Sequence, residues 1–175
     1  KRQLTHDGGL TAIRIEGPTN SVDQRVNRLS KELGLLDQEL SILDSEQSNI
    51  FWSRTKNLEV FKSLKSNLLR IVLPMSETLQ VIQKLKNFEI KYFIDWGGSL
   101  IWASFDQLNT KILSEIKDTV KKHQGYITLI KVEEDLKASA DIFTIDPIKY
   151  KISEKIKRSF DPKRIFNPGK MYTGI

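Results

Sequence analysis

The sequence predicts an α+β protein, organised on a ferredoxin-like (βαββαβ) antiparallel sheet with helices on one face. Three observations predict it. From residue 68 onward, short apolar runs and amphipathic stretches alternate in the order β-α-β-β-α-β. The two middle runs are separated only by Gly97-Gly98, and two-residue hairpin loops need positive φ. Each of the two helical stretches confines its apolar residues to one stripe, as helices lying on a single sheet face must.

Taken in order, Leu10 to Glu16 alternates apolar and polar residues, Ala12 apart, and reads as a half-buried strand. Gly17-Pro18-Thr19-Asn20-Ser21 supplies punctuation and an N-cap. Val22, Val26, Leu29 and Leu33 form one stripe of a helix that Gly34 ends. Leu36 to Leu43 reads as a second strand, which gives an N-terminal βαβ unit. Ser45 to Leu58 reads as a further helix with Ile50, Phe51, Trp52 and Leu58 available for burial. Lys62 to Asn67 is a polar connection and the best place for an internal joint. The expected parts are therefore 1–61, a ferredoxin-like part over 68–132, and a helix with tail over 133–175.

Leu68 to Leu73 is a short strand stopped by Pro74, and Ser76 is placed to cap a helix carrying Leu79, Ile82 and Leu85. Ile90 to Trp96 and Ser99 to Phe105 make the hairpin. With Trp96 facing Ser99, Ile94 opposes Ile101, Tyr92 opposes Ala103 and Ile90 opposes Phe105 on one face. Phe93 opposes Trp102 and Asp95 opposes Leu100 on the other, which is apolar enough to require a cover. Leu108 to His123 is helical through Ile112, Ile116 and Val120, and Tyr126 to Val132 is the last strand. Glu133 to Ala140 is a short helix or loop. Asp146-Pro147 then opens a helix in the cap-then-proline manner, striped by Ile148, Ile152 and Ile156.

The totals exclude several classes. With no cysteine, disulfides, thiolate metal sites and Cys nucleophiles are ruled out. Two histidines, His6 and His123, are too few for a His-rich metal centre and lack acidic partners at ligand spacing, so no metal is expected. Neither a Gly-x-Ser-x-Gly elbow, a Walker loop nor a Gly-x-Gly-x-x-Gly fingerprint occurs. Gly97-Gly98 reads as a hairpin turn, and His123-Gln124-Gly125 as a helix end. No apolar run nears the length of about 18 residues that spans a bilayer. Lys1 to Leu10 has no secretory-leader pattern, and the chain does not begin with Met, so a piece of a longer polypeptide is expected. The net charge of +6 could attract nucleic acid or an anionic membrane. Its densest basic group, Lys149 to Lys170, alternates with Ile and Phe at helical spacing and reads as a solvated basic face.

The chain closes on Phe160-Asp161-Pro162-Lys163-Arg164-Ile165-Phe166-Asn167-Pro168-Gly169-Lys170-Met171-Tyr172. Asn167-Pro168-Gly169-Lys170 fits a type II turn: Pro168 presets φ at the second position and Gly169 accepts positive φ at the third. The turn sets Asn167 and Lys170 side by side, with Ile165, Phe166 and Met171 expected to pin its flanks to a core.

This ending resembles the carboxy-terminal signature of FAD-linked oxidases of the vanillyl-alcohol oxidase type, and Met171-Tyr172 narrows the resemblance to the family of FAD-binding subunits of bacterial glycolate oxidases. The resemblance extends in order through His6-Asp7-Gly8-Gly9, Ile13-Arg14-Ile15-Glu16-Gly17, Phe51-Trp52, Leu69-Arg70-Ile71-Val72-Leu73-Pro74, Asp95-Trp96-Gly97-Gly98 with Trp102, and Gln124-Gly125-Tyr126-Ile127-Thr128-Leu129. It implies the carboxy-terminal domain of a flavoprotein subunit, with the amino-terminal FAD-binding domain absent from this chain. It further implies oxidation of glycolate, a 2-hydroxy acid, to glyoxylate by hydride transfer to FAD, and electron relay to two other glycolate oxidase subunits, the catalytic flavin subunit and the iron–sulfur subunit. By resemblance, Asn167 and Lys170 would face the cofactor. A carboxylate substrate calls for an arginine fork, for which Arg70 and Arg54 are the candidates. No catalytic residue is assigned, and the piece alone is expected to be inactive. The implied setting is cytoplasmic, peripheral at the inner membrane only through the complex, without nucleic acid. The alternative is a free-standing ferredoxin-like module binding RNA or protein through its sheet, with Phe93 and Trp102 on one face.

Overall fold

A computed structural model describes residues 9–34, 40–62, 67–139, 141–144, 146–170, 172 and 175. The chain divides into two compact units, 1–60 and 61–175.

In the first unit, helix α1 (Thr19–Glu32) is closed by Gly34, whose φ of 62° and amide bond to the Lys31 carbonyl at 3.1 Å make the expected stop. Helix α2 (Ser45–Lys56) starts in a capping box, Asp44 accepting from the Gln47 amide and the Gln47 side chain accepting from the Asp44 amide. The predicted N-terminal βαβ unit is not found among the described residues. Residues 9–16 and 40–44 are irregular, and residues 36–39 lie outside the described set. Alternating apolar residues make pairing possible, but a ladder needs a neighbour. Here Leu10 and Ile13 face solvent, and the Arg14 guanidinium is drawn to Glu16 at 2.6 Å and to the Asn49 amide oxygen at 3.2 Å.

Helix α3 (Glu59–Lys62) contains the boundary and carries Phe61 into the second unit. There, strands β1 (Asn67–Val72), β2 (Ile90–Asp95), β3 (Leu100–Phe105) and β4 (Tyr126–Lys131) form an antiparallel sheet in the order β2-β3-β1-β4. Helix α4 (Thr78–Leu85) connects β1 to β2 and α5 (Thr110–Lys122) connects β3 to β4. This is a split-βαβ connectivity, consistent with a ferredoxin-like arrangement. The hairpin pairs as the alternation requires, Ile90 with Phe105, Tyr92 with Ala103, Phe93 with Trp102 and Ile94 with Ile101.

Both helices lie on one face. Leu69, Ile71, Ile101, Ala103, Phe105 and Ile127 on the strands close on Val81, Ile82, Leu85, Leu113, Ile116 and Val120 on the helices. The inward side of α4 differs from expectation: Thr78, Val81, Ile82 and Leu85 are buried, while Leu79 is exposed. Residues 78, 81, 82 and 85 are the i, i+3, i+4, i+7 set, so Leu79 falls outside it. Ser76 does not cap α4 either, because Met75–Glu77 forms a turn of 3-10 helix first. Gly125 passes the sheet so closely that a Cβ would lie 2.9 Å from both Leu73 Cβ and the Val72 carbonyl oxygen.

On the other face, Phe61 stacks on Phe93 with ring centroids 5.7 Å apart, and Phe93 leans on Trp102 at 6.5 Å. Along the outer edge of β4, Phe143 bridges to Thr128, and the Leu129 amide donates to the Ile142 carbonyl at 2.8 Å. Helix α6 (Glu134–Ser139) buries Leu136, and helix α7 (Pro147–Phe160) follows.

Candidate functional site

The terminal turn forms as its residue types dictate. The Lys170 amide donates to the Asn167 carbonyl at 3.2 Å, Gly169 has φ of 66°, and its amide donates to the Ile175 carbonyl at 2.8 Å. Asn167 itself takes φ of 48°, a region asparagine tolerates better than most residues. Asn167 and Lys170 are both exposed, and neither side chain has a partner among the described residues. A rigid bend thus presents an amide and an ammonium together.

What holds the bend is not the expected apolar anchor. Ile165 and Phe166 are both 66% exposed, and Met171 lies outside the described residues. The holding group is Asp161, whose carboxylate accepts the Ile165 and Phe166 amides at 2.9 Å each and the Lys157 ammonium at 2.7 Å. Lys157 also donates to the Phe166 carbonyl. The Lys157 hydrogen bond, with the two amides adding to it, outweighs partial burial and lowers the Asp161 carboxyl to about 2. Charge-assisted bonds therefore replace a core. Tyr172 ties the segment back, its ring 6.1 Å from those of both Phe143 and Tyr150.

The two candidate arginines differ. Arg70 is half-buried on β1, on the sheet face away from the helices. Its guanidinium lies 4.9 Å from the centre of the Trp96 ring and has no acidic partner among the described residues. Trp96 is fixed for this at φ of 53°: Asp95 accepts its amide at 2.7 Å, and the Ser99 hydroxyl donates to its carbonyl at 2.9 Å. Gly97 and Gly98 have φ of 61° and 109°. A Cβ on Gly98 would approach Met75 Cγ to 2.8 Å, and the Thr78 hydroxyl donates to the Gly98 carbonyl. The hairpin tip is thus fastened to the start of α4. Arg54 belongs to the first unit and sits 3.7 Å from the Glu59 carboxylate, so it already has an acidic neighbour.

Sequence reasoning missed a polar chain on the helix side, centred on the buried His123. His123, at the end of α5, places Nδ1 2.6 Å from Glu77 Oε2 and Nε2 3.2 Å from Lys84 Nζ. A neutral ring protonated at Nδ1 satisfies both, donating to Glu77 and accepting from Lys84. It joins the two ends of α4 to the end of α5, which accords with His123 as a helix-ending residue. Its sole sequence trace is Glu77 and Lys84 seven residues apart on one helix side; the histidine partner comes only with the fold. His6 lies outside the described residues. No acidic or histidine cluster able to hold a metal occurs among the described residues, and no helix there is long and apolar enough to cross a membrane.

No protein-family model, curated protein or solved structure matches the chain.

Proposed function

We propose that this chain is the carboxy-terminal domain of a flavoprotein subunit that takes part in oxidising glycolate, or a related 2-hydroxy acid, within a complex. On this reading its fold is the ferredoxin-like cap of an FAD-linked oxidase, and the cofactor is held chiefly by a separate FAD-binding domain. The observation that carries the reading is the exposed Asn167-Pro168-Gly169-Lys170 bend, hydrogen-bonded in place yet with neither polar side chain partnered among the described residues. Its donors suit one wall of a flavin site: an amide for ring or ribityl polar groups, and an ammonium for negative charge. FAD, when bound, would supply the redox chemistry by accepting hydride. The chain's own residues would orient and bind. Arg70, half-buried beside Trp96 and without an acidic partner among the described residues, would receive the substrate carboxylate as a two-pronged donor. Arg54 is the weaker candidate, since Glu59 competes for it. The catalytic flavin subunit and the iron–sulfur subunit of the complex are the proposed electron partners.

The alternative, an RNA- or protein-binding sheet, is less well supported. Stacking on a base needs a free ring, and Phe61 already covers Phe93.

The complete polypeptide, expressed with its partner subunits, tests the proposal. Flavin absorbance and glycolate turnover are expected. Lys170→Ala and Asn167→Ala should lower flavin retention. Arg70→Ala should raise KM for glycolate by about 10- to 100-fold, the usual effect of losing a hydrogen-bonded charge. A colourless complete protein that binds RNA salt-sensitively would overturn the reading.

A further inference from the structure

Helix α7 is mounted with its polar side inward. Tyr150, Ser153, Glu154 and Lys157 are half-buried, at the i, i+3, i+4, i+7 positions that a globular helix normally fills with apolar residues. Its apolar residues point the other way. Ile148, Ile152, Ile156 and Phe160 recur every four residues along the outer side; Ile165 and Phe166, in the tail that Asp161 and Lys157 hold back against the helix, are exposed as well. All six are between 53% and 85% exposed. A helix of 14 residues is about 21 Å long, so this is an extended ridge.

Charge is sorted by the same geometry. Residues 147–170 hold eight Lys and Arg against two acidic residues, a surplus equal to the whole chain's +6. The remainder of the chain is therefore balanced. Both carboxylates of the segment are turned away from the ridge and engaged, Glu154 with Arg158 at 2.9 Å and Asp161 with Lys157 and the tail amides. Lys149 and Lys155 border the ridge, with Lys151 further round, all exposed and without a carboxylate partner among the described residues.

We propose that α7 lays this ridge directly on an anionic lipid surface. A second copy of the chain is disfavoured, because it would set one basic segment against another. A protein groove would be matched by a mixed pattern of charges, and the charged side chains beside the ridge, Lys149, Lys151 and Lys155, are all cations. An apolar strip with lysines on its flanks is what a lipid interface accepts, apolar side chains below the headgroups and ammonium groups among them. The resemblance implies membrane contact only through partner subunits; the proposal differs in making the contact this chain's own. It is independent of the flavin reading.

The test is sedimentation of the complete protein with vesicles of phosphatidylcholine alone, or of equal parts phosphatidylcholine and phosphatidylglycerol. Binding is expected only to the anionic vesicles, and should vanish near 1 M salt, where screening acts within about 3 Å. Lys151→Gln with Lys155→Gln should weaken it roughly 10- to 30-fold. Ile152→Ser with Phe160→Ser should weaken it at least about 10-fold, with thermal unfolding unchanged because both side chains are exposed. Equal binding to neutral vesicles, failure to bind either kind, or undiminished binding by the Ile152/Phe160 variant would each overturn the proposal. So would a partner protein that binds the wild type and loses the Ile152/Phe160 variant while vesicles bind neither.

Discussion

Helices α5 and α7 are nearly matched in length, and each begins at a polar cap that accepts an amide at its first turn, Asn109 from Ile112 and Asp146 from Ile148. Both carry isoleucines four residues apart. Yet α5 buries Leu113, Ile116 and Val120 against the sheet, whereas α7 has no fully buried residue and shows its isoleucines to solvent. The difference teaches that an amphipathic stripe identifies a helix without saying which side the protein keeps. Side chains on α5 meet Leu69, Ile71 and Ile127, an apolar surface large enough to repay ordering them. Helix α7 meets Tyr172 and the tail, where aromatic edges and charged hydrogen bonds are the available partners.

The sharpest way to break this comparison is to truncate one isoleucine in each helix. Ile116→Ala should cost about 2–5 kcal/mol of stability, as fully buried aliphatics do. Ile152→Ala should stay within about 0.5 kcal/mol, the usual range for surface sites. Denaturant titration of both variants measures the gap, and equal losses would mean that α7 is packed inward after all.

Close packing on the sheet side makes the next largest effect. Gly125→Ala should cost roughly 1–3 kcal/mol, since its Cβ would come within 2.7 Å of Val120 Cγ1 and 2.9 Å of Leu73 Cβ. Gly169→Ala, with nothing within 4 Å of its Cβ, meets no such crowding; it strains only the positive φ of the turn, at about 1 kcal/mol. A ranking with Gly169 above Gly125 would contradict the contrast.

Glu77→Gln comes next. It removes the charged acceptor of His123 Nδ1 but leaves a neutral one in place, so a loss of roughly 1 kcal/mol is expected in thermal melts. Little change would assign the helix-to-helix tie to packing alone.

The smallest effect is local, and pH reads it. Asp161 is lowered from 3.8 to about 2, so its contribution is complete above about pH 4 and is lost as pH falls through about 2. Amide resonances of Ile165 and Phe166 should hold steady from neutral pH down to about 4 and shift towards unstructured values between there and about 2. Asp161→Asn should shift them at neutral pH and abolish that acid step. An unchanged tail would mean that aromatic contacts of Tyr172 suffice.

Much of the second unit was legible in the chain. The Gly97-Gly98 hairpin announced its register pair by pair, because alternation with period two leaves one choice once one face is buried. Asp146-Pro147 announced the start of α7, and Asn167-Pro168-Gly169-Lys170 its turn, because caps and turns are decided within four residues. The N-terminal strand at Leu10 to Glu16 misled for the opposite reason: a strand exists only with a partner, and none is present among the described residues. Arg70 was singled out through resemblance; its stacking on Trp96 was invisible, as residues 26 positions apart meet only once the sheet has formed. Asp161 stands in the closing motif, but its part as the clamp exists only once the Ile165 and Phe166 amides fold onto its carboxylate.

Sequence alone thus determined the elements of the second unit, their order and the shape of the closing bend, all of which rest on backbone preferences and neighbours a few residues away. Tertiary structure alone decided which way each stripe points, which arginine stacks on a tryptophan and which meets a carboxylate, and that a carboxylate rather than a core secures the tail. Those outcomes depend on what each side chain finds opposite it, and burial energy has no value until that surface exists.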